Sequence, residues 1–133
     1  MLGGFTGYLG ETLQGSLAWN AVLEAYAGGA VIAGSSAGAM VMCEFYYDPS
    51  KGQVVPGLNL VPHSIVLPHY NTFGKSWASR LLEISNVMLI GIDEQTGMID
   101  DGPQTWTVYG RGAVTLYRNG GIEIHQAGNA FSV

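Results

Sequence analysis

Gly34-Ser35-Ser36-Ala37-Gly38 is the stretch of this 133-residue chain whose residue types and spacing could do chemistry. A serine with glycines two residues before and two after it fits the G-x-S-x-G nucleophile elbow, a strained turn from strand to helix. The turn pushes the hydroxyl clear of the backbone, and the glycines let the chain bend without Cβ clashes. The helix that follows aims unpaired N–H groups and its positive dipole end at the place where an oxyanion would form. Ser36 is the predicted nucleophile, because Ser35 stands one residue too early. The same cluster of small residues could also serve only as a tight turn or an anion-binding loop.

A serine hydroxyl needs a base to take its proton and a carboxylate to orient that base. Of the three histidines, His69 is the best placed, just past the apolar run Ser64–Leu67 and Pro68, where ligand-facing groups of open α/β sheets gather. His63 precedes that run and has no evident role. His125 falls in a strand-like segment and reads as structural. For the acid, Asp48 lies between Ser36 and His69, giving the chain order Ser…Asp…His of α/β hydrolases. Asp48 is equally a starter of an Asp-Pro turn, and Glu44 competes for the acid's place.

These groups need a scaffold. Ala30–Ala33 is short, apolar and partly β-branched, and predicts a strand entering the elbow; Ala37–Met42 predicts the helix leaving it. Met1–Gly10 reads as a glycine-rich loop. Apolar residues at Leu13, Leu17, Val22, Leu23 and Tyr26 predict a helix over Glu11–Ala27, stopped by Gly28-Gly29. Glu44–Gly57, with Asp48-Pro49 and Pro56-Gly57, reads as a loop. Further on come a buried strand at Ser64–Leu67, an amphipathic helix at Ser76–Asn86 and a buried strand at Val87–Ile92, with Asp93–Thr96 in a turn. From Gly97 the texture changes. Trp106–Tyr109, Val114–Arg118 and Ile122–His125 are short runs separated by Gly110–Gly112 and Asn119–Gly121, which is hairpin chemistry. The expectation is one α/β domain: a parallel part over 1–96 and an antiparallel β tail over 97–133.

Composition narrows the class. The chain is 47% hydrophobic and 11% charged, which suits a packed globular domain and not a disordered one. A net charge of −5 argues against a nucleic-acid groove or an anionic membrane surface as partner. No apolar run reaches spanning length, and the start lacks a basic n-region, so neither anchor nor signal peptide is expected. The single cysteine, Cys43, makes no internal disulfide and reads as a buried small hydrophobe in a cytoplasmic, reducing setting. Histidines and acids lack ligand spacing, so no metal or cofactor is expected.

Three blocks in order, GSSAGAMV, GLNLVPHSIVLPHY and GIDEQTG followed by short β runs, resemble the dipeptidase E and cyanophycinase family of serine peptidases. The resemblance implies a flavodoxin-like fold akin to class I glutamine amidotransferases. It implies Ser36 as nucleophile, His69 as base and Asp48 as acid, with an oxyanion hole from the Ala37 N–H and the early glycine loop, here Gly3-Gly4. It also implies cleavage of short peptides next to aspartate, with Arg80 and Lys75 as the basic groups that hold the substrate carboxylate; an arginine fork suits bidentate capture. Family members carry several elements before the glycine loop, so this chain is expected to lack the N-terminal part of the family fold. A strand left without its neighbour exposes backbone and an apolar face, and a homo-oligomer is expected to cover it. The alternative function is a catalytically inactive peptidase-like binding or scaffold module. A cysteine-dependent amidotransferase is disfavoured, since serine occupies the elbow.

Overall fold

The computed structural model describes residues 1–84, 86–102 and 105–133. The chain forms two compact units, Met1–Ile65 and Val66–Val133. Both are built from α and β elements, and no helix among the described residues is long and apolar enough to cross a membrane.

The first unit holds three helices, α1 (Thr6–Leu13), α2 (Leu17–Ala27) and α3 (Ala37–Met42), and a hairpin of β1 (Phe45–Asp48) and β2 (Gln53–Pro56). Where one helix was expected over 11–27 there are two, and the first begins inside the expected loop. Ser16 caps α2 by accepting from the Trp19 N–H at 3.0 Å, and Gly15 takes the left-handed turn between the helices at φ 70°. Gly7 and Gly10 sit within α1 for a packing reason. Three residues apart, they share one helix face, and a Cβ on either would collide with Asp48 or Tyr46, which share one face of β1. The segment Glu44–Gly57, expected as a loop, is the antiparallel hairpin, with Phe45 opposite Pro56 and Asp48 opposite Gln53.

The expected strand at Ala30–Ala33 is also corrected. The segment forms no strand ladder. The Ala30 N–H turns back onto the Ala25 carbonyl at 3.0 Å, and the Ala33 carbonyl accepts from the Met1 ammonium, with the Ser35 N–H just beyond donating to the Met1 carbonyl at 3.0 Å. A strand needs a row of partners on a neighbouring strand, and these scattered bonds do not supply it. Val31 is 90% exposed, and Leu2, Phe5, Tyr8 and Leu17 stand largely in solvent. The apolar face read into α2 is mostly uncovered too, with Trp19 its one buried residue. The core of this unit lies instead around α3 and the hairpin, in Met40, Val41, Cys43 and Tyr46.

The second unit carries β3 (Ser64–Leu67, which crosses the division between units), α4 (Lys75–Ile84), β4 (Met88–Ile92), β5 (Thr96–Gly102), β6 (Thr105–Gly110), β7 (Ala113–Arg118), β8 (Gly121–Gln126) and β9 (Ala130–Ser132). One sheet has the order β3-β4-β7-β8 and another the order β5-β6-β9. β3, α4 and β4 fall where the apolar runs placed them. Asn119 at φ 54° and Gly120 at φ 74° make the tight turn of the β7–β8 hairpin, as Asn-Gly chemistry demands. Gly110–Gly112 does not close a hairpin, because β6 and β7 belong to different sheets. Leu81, Leu89, Ile90, Val114 and Leu116 are fully buried.

Gly91 in β4 lies under the ring of Tyr70, whose Cγ would stand 2.6 Å from an added Cβ. Gly91→Ala is expected to destabilise the fold by about 1–3 kcal/mol, the usual result of overpacking. An unchanged urea midpoint would remove that contact from the account.

Candidate active site

The first unit presents Ser36 on a bend with little freedom. Its backbone sits at φ 52°, ψ −119° at the head of α3, a conformation that costs a non-glycine residue about 1–3 kcal/mol. Both glycines of the motif are there because backbone passes too close for a side chain. A Cβ on Gly34 would stand 2.5 Å from the Gly38 carbonyl oxygen, and one on Gly38 would stand 2.5 Å from that of Met1. The Gly38 N–H is turned back onto the Ser35 carbonyl, and those of Ala39 and Met40 onto the Ser36 carbonyl. That leaves the Ala37 N–H as the first-turn donor not used in these bonds.

Gly3 lies against the serine. A Cβ added to it would meet the Ser36 Cβ at 3.0 Å and Oγ at 3.3 Å. Gly4, at φ 153° and open on its outer side, continues the loop into α1. The structure thus brings Gly3 and the head of α3 together at the Ser36 hydroxyl.

His69 belongs to the second unit, two residues beyond β3, in left-handed backbone at φ 52°, ψ 39°. Its carbonyl accepts from the N–H groups of Thr72, Phe73 and Gly74, which fixes the π-helical turn Tyr70–Gly74 that follows. Its ring stacks on Phe73, with centroids 5.0 Å apart. Its Nδ1 lies 2.7 Å from Glu94 Oε1. Glu94 is held in turn by its own N–H, which donates to Asn71 Oδ1 at 2.9 Å. The two residues stand just beyond the carboxyl ends of β3 and β4, neighbours in one sheet and joined through α4. This is an imidazole with an orienting carboxylate, the pairing that fixes which nitrogen carries the proton. Beside it, burial and a hydrogen bond to the Tyr117 hydroxyl push the Tyr70 phenol well above its ordinary range.

The carboxylate on the His69 ring is that of Glu94, which the sequence reading left in a turn; Asp48, expected as the acid, is bonded to Ser50. Asp48 is 1% exposed. Its Oδ1 accepts from the Ser50 N–H at 2.9 Å and Oγ at 2.6 Å, and its Oδ2 has no hydrogen-bond partner among the described residues. Burial acts to raise its pKa, but the two Ser50 bonds and the Lys51 charge outweigh that and hold the carboxyl below its usual range. Glu44 is engaged elsewhere, accepting from the His63 N–H at 2.7 Å, while the exposed His63 ring points its Nδ1 to the same oxygen at 3.4 Å. His125 stacks on Phe131 in the β tail. Glu94 had a signal in the sequence: residues just past the carboxyl ends of adjacent strands converge in an α/β sheet.

Lys75 and Arg80 are exposed residues of α4. Five residues apart, they differ by about 140° around the helix, and they flank the stripe buried at Ala78 and Leu81 from opposite sides. They do not form one fork.

Comparison with known proteins follows this geometry. Residues 1–105 match peptidase family S51. A search of curated proteins gave no match. Among solved structures, a peptidase from an acI-B1 Actinobacterium superposes with a TM-score of 0.85 and 31% sequence identity. The match covers 99% of this chain and 57% of that one, so the chain spans little more than half the length of this relative.

Ser36→Gly is expected to raise stability by about 1 kcal/mol. Relief of the strained backbone exceeds the roughly 0.5–1 kcal/mol that a glycine ordinarily costs in entropy. A fall in the urea midpoint would show that the bend is not strained.

Proposed function

Since the chain belongs to peptidase family S51, we propose that it is a serine peptidase that hydrolyses short peptides next to aspartate through an acyl-enzyme on Ser36. The observation that carries this reading is Ser36 itself, a non-glycine residue at φ 52° on the helix-leading turn with the Gly3 backbone against its hydroxyl. In the proposed reaction the Ser36 Oγ attacks the peptide carbonyl and His69 takes its proton. Glu94 on Nδ1 supports this role, because it leaves Nε2 as the nitrogen that exchanges the proton and stabilises the imidazolium. The N–H groups of Gly3, Gly4 and Ala37 are assigned to the oxyanion. The C–N bond breaks as His69 returns the proton to the leaving amine. Water, deprotonated by the same imidazole, then cleaves the acyl ester and restores the serine.

Aspartate preference rests on the family resemblance together with the two cations Arg80 and Lys75. Since they stand apart around α4, the proposal gives the substrate carboxylate to one of them, and an arginine is the better bidentate partner. A flavodoxin-like arrangement is part of the same reading, supported by the β3–α4–β4 unit, and so is a cytoplasmic setting. A homo-oligomer is proposed from the exposed Leu2, Phe5, Tyr8, Leu17 and Val31, since single-chain domains seldom leave so many large apolar groups in water.

Two measurements test the proposal. A serine-directed phosphonate is expected to label Ser36, and Ser36→Ala and His69→Ala are expected to abolish both labelling and hydrolysis of Asp-containing dipeptides, a loss of about 10⁴-fold or more. Glu94→Gln should slow turnover by about 10³–10⁴-fold with the fold intact. Labelling that survives in His69→Ala would sink the proposal. Light scattering at micromolar concentration is expected to give a mass above that of one 14.1 kDa chain; a folded monomer would end the oligomer reading.

A further inference from the structure

Gly110–Gly112, hairpin-like in sequence, has a different task in the structure. After β4 the chain leaves one sheet to become β5 of the other, and between β6 and β7 it makes the return crossing. The two crossings are in register. Ile92 lies opposite Val114 at the end of the β4–β7 ladder, and Thr96 lies opposite Gly110 at the start of the β5–β6 ladder, with three residues between on each side. Glu94 therefore stands opposite Gly112, where both segments pass from one sheet to the other.

The bonds across this crossing are not those of a plain ladder. The Asp93 N–H donates to the Ala113 carbonyl at 3.2 Å, and the Arg111 N–H to the Gln95 carbonyl at 3.1 Å. Side chains supply the rest. Asp93 Oδ2 accepts from the Ala113 N–H at 2.9 Å. Thr96 Oγ1 accepts from the Gly112 N–H at 2.9 Å and donates to the Glu94 carbonyl at 3.1 Å. The Glu94 N–H is on Asn71 Oδ1, so both main-chain polar groups of Glu94 are held by side chains. Gly112 admits this packing, since a Cβ there would stand 2.6 Å from the Asp93 Cβ and 2.8 Å from Thr96 Oγ1.

We infer that Thr96 is a positioning residue, whose hydroxyl ties the Glu94 main chain to the β6–β7 crossing and so fixes where the Glu94 carboxylate meets His69 Nδ1. A carboxylate on a loose turn wanders from its partner; one whose carbonyl and N–H are both held keeps its 2.7 Å approach to the ring. The consequence for turnover rests on the peptidase reading, whereas the placement of Glu94 against His69 does not.

The test is nitrogen NMR of the His69 ring in the full chain, read beside the kinetics of Ser36. A carboxylate on Nδ1 holds the neutral imidazole in its Nδ1–H form. Thr96→Val removes the hydroxyl and keeps the branched shape. It is expected to lower the Nδ1–H share toward the mixture of a free imidazole, and to lower kcat by about 10–100-fold with little change in KM. Thr96→Ser keeps the hydroxyl and is expected to restore both, a rescue that a role in packing would not give. Should Thr96→Val not fold, Thr96→Ala, which removes the hydroxyl without putting a methyl group in its place, is read instead. An unchanged tautomer ratio without the hydroxyl, or a Thr96→Ser chain that behaves like Thr96→Val, overturns the inference. An unreactive Ser36 in the unmutated chain overturns the peptidase reading alone, because the tautomer results stand without it.

Discussion

The first unit depends on one constraint: backbone passing so close to backbone that side chains are forbidden. At the elbow, Gly34 faces the Gly38 carbonyl and Gly38 faces that of Met1. These contacts leave the chain one way through the bend, and Ser36 takes the strained conformation that follows from it. α1 packs closely by a related device, its Gly7 and Gly10 backbone against the Asp48 and Tyr46 side chains. A helix that meets its neighbours through glycines comes closer than one that meets them through apolar side chains, and its polar partners then decide how it is held.

The second unit solves a different problem, that of holding an imidazole. Left-handed backbone at His69, three N–H groups on its carbonyl, a stacked phenyl ring and a carboxylate on Nδ1 all act on one residue. Each is modest alone. Together they leave the ring one orientation. Non-glycine residues at positive φ include both proposed catalytic residues, Ser36 and His69, beside Asn59, His63, Gln95 and Asn119.

The carboxylates show how charge is apportioned. Glu94 is half exposed and lies on the His69 imidazole; Asp48 is buried and bound by Ser50 on one oxygen. A carboxylate so held has no freedom to follow a ring.

What the sequence alone determined is local. The elbow at Ser36, the strand end that carries His69, and the Asn119-Gly120 turn each depend on residues within a few positions of one another, so pattern and turn chemistry suffice to find them. Apolar periodicity placed α4, β3 and β4 for the same reason. Tertiary structure alone decided the pairings over distance: Glu94 with His69 across 25 residues, Gly7 with Asp48, and Gly3 with Ser36. It also decided that Ala30–Ala33, strand-like in composition, forms no ladder, because a ladder is a property of two segments and not of one. A carboxylate in a turn and a carboxylate in a hairpin look alike in sequence. Which one meets an imidazole depends on which strand ends the sheet brings side by side.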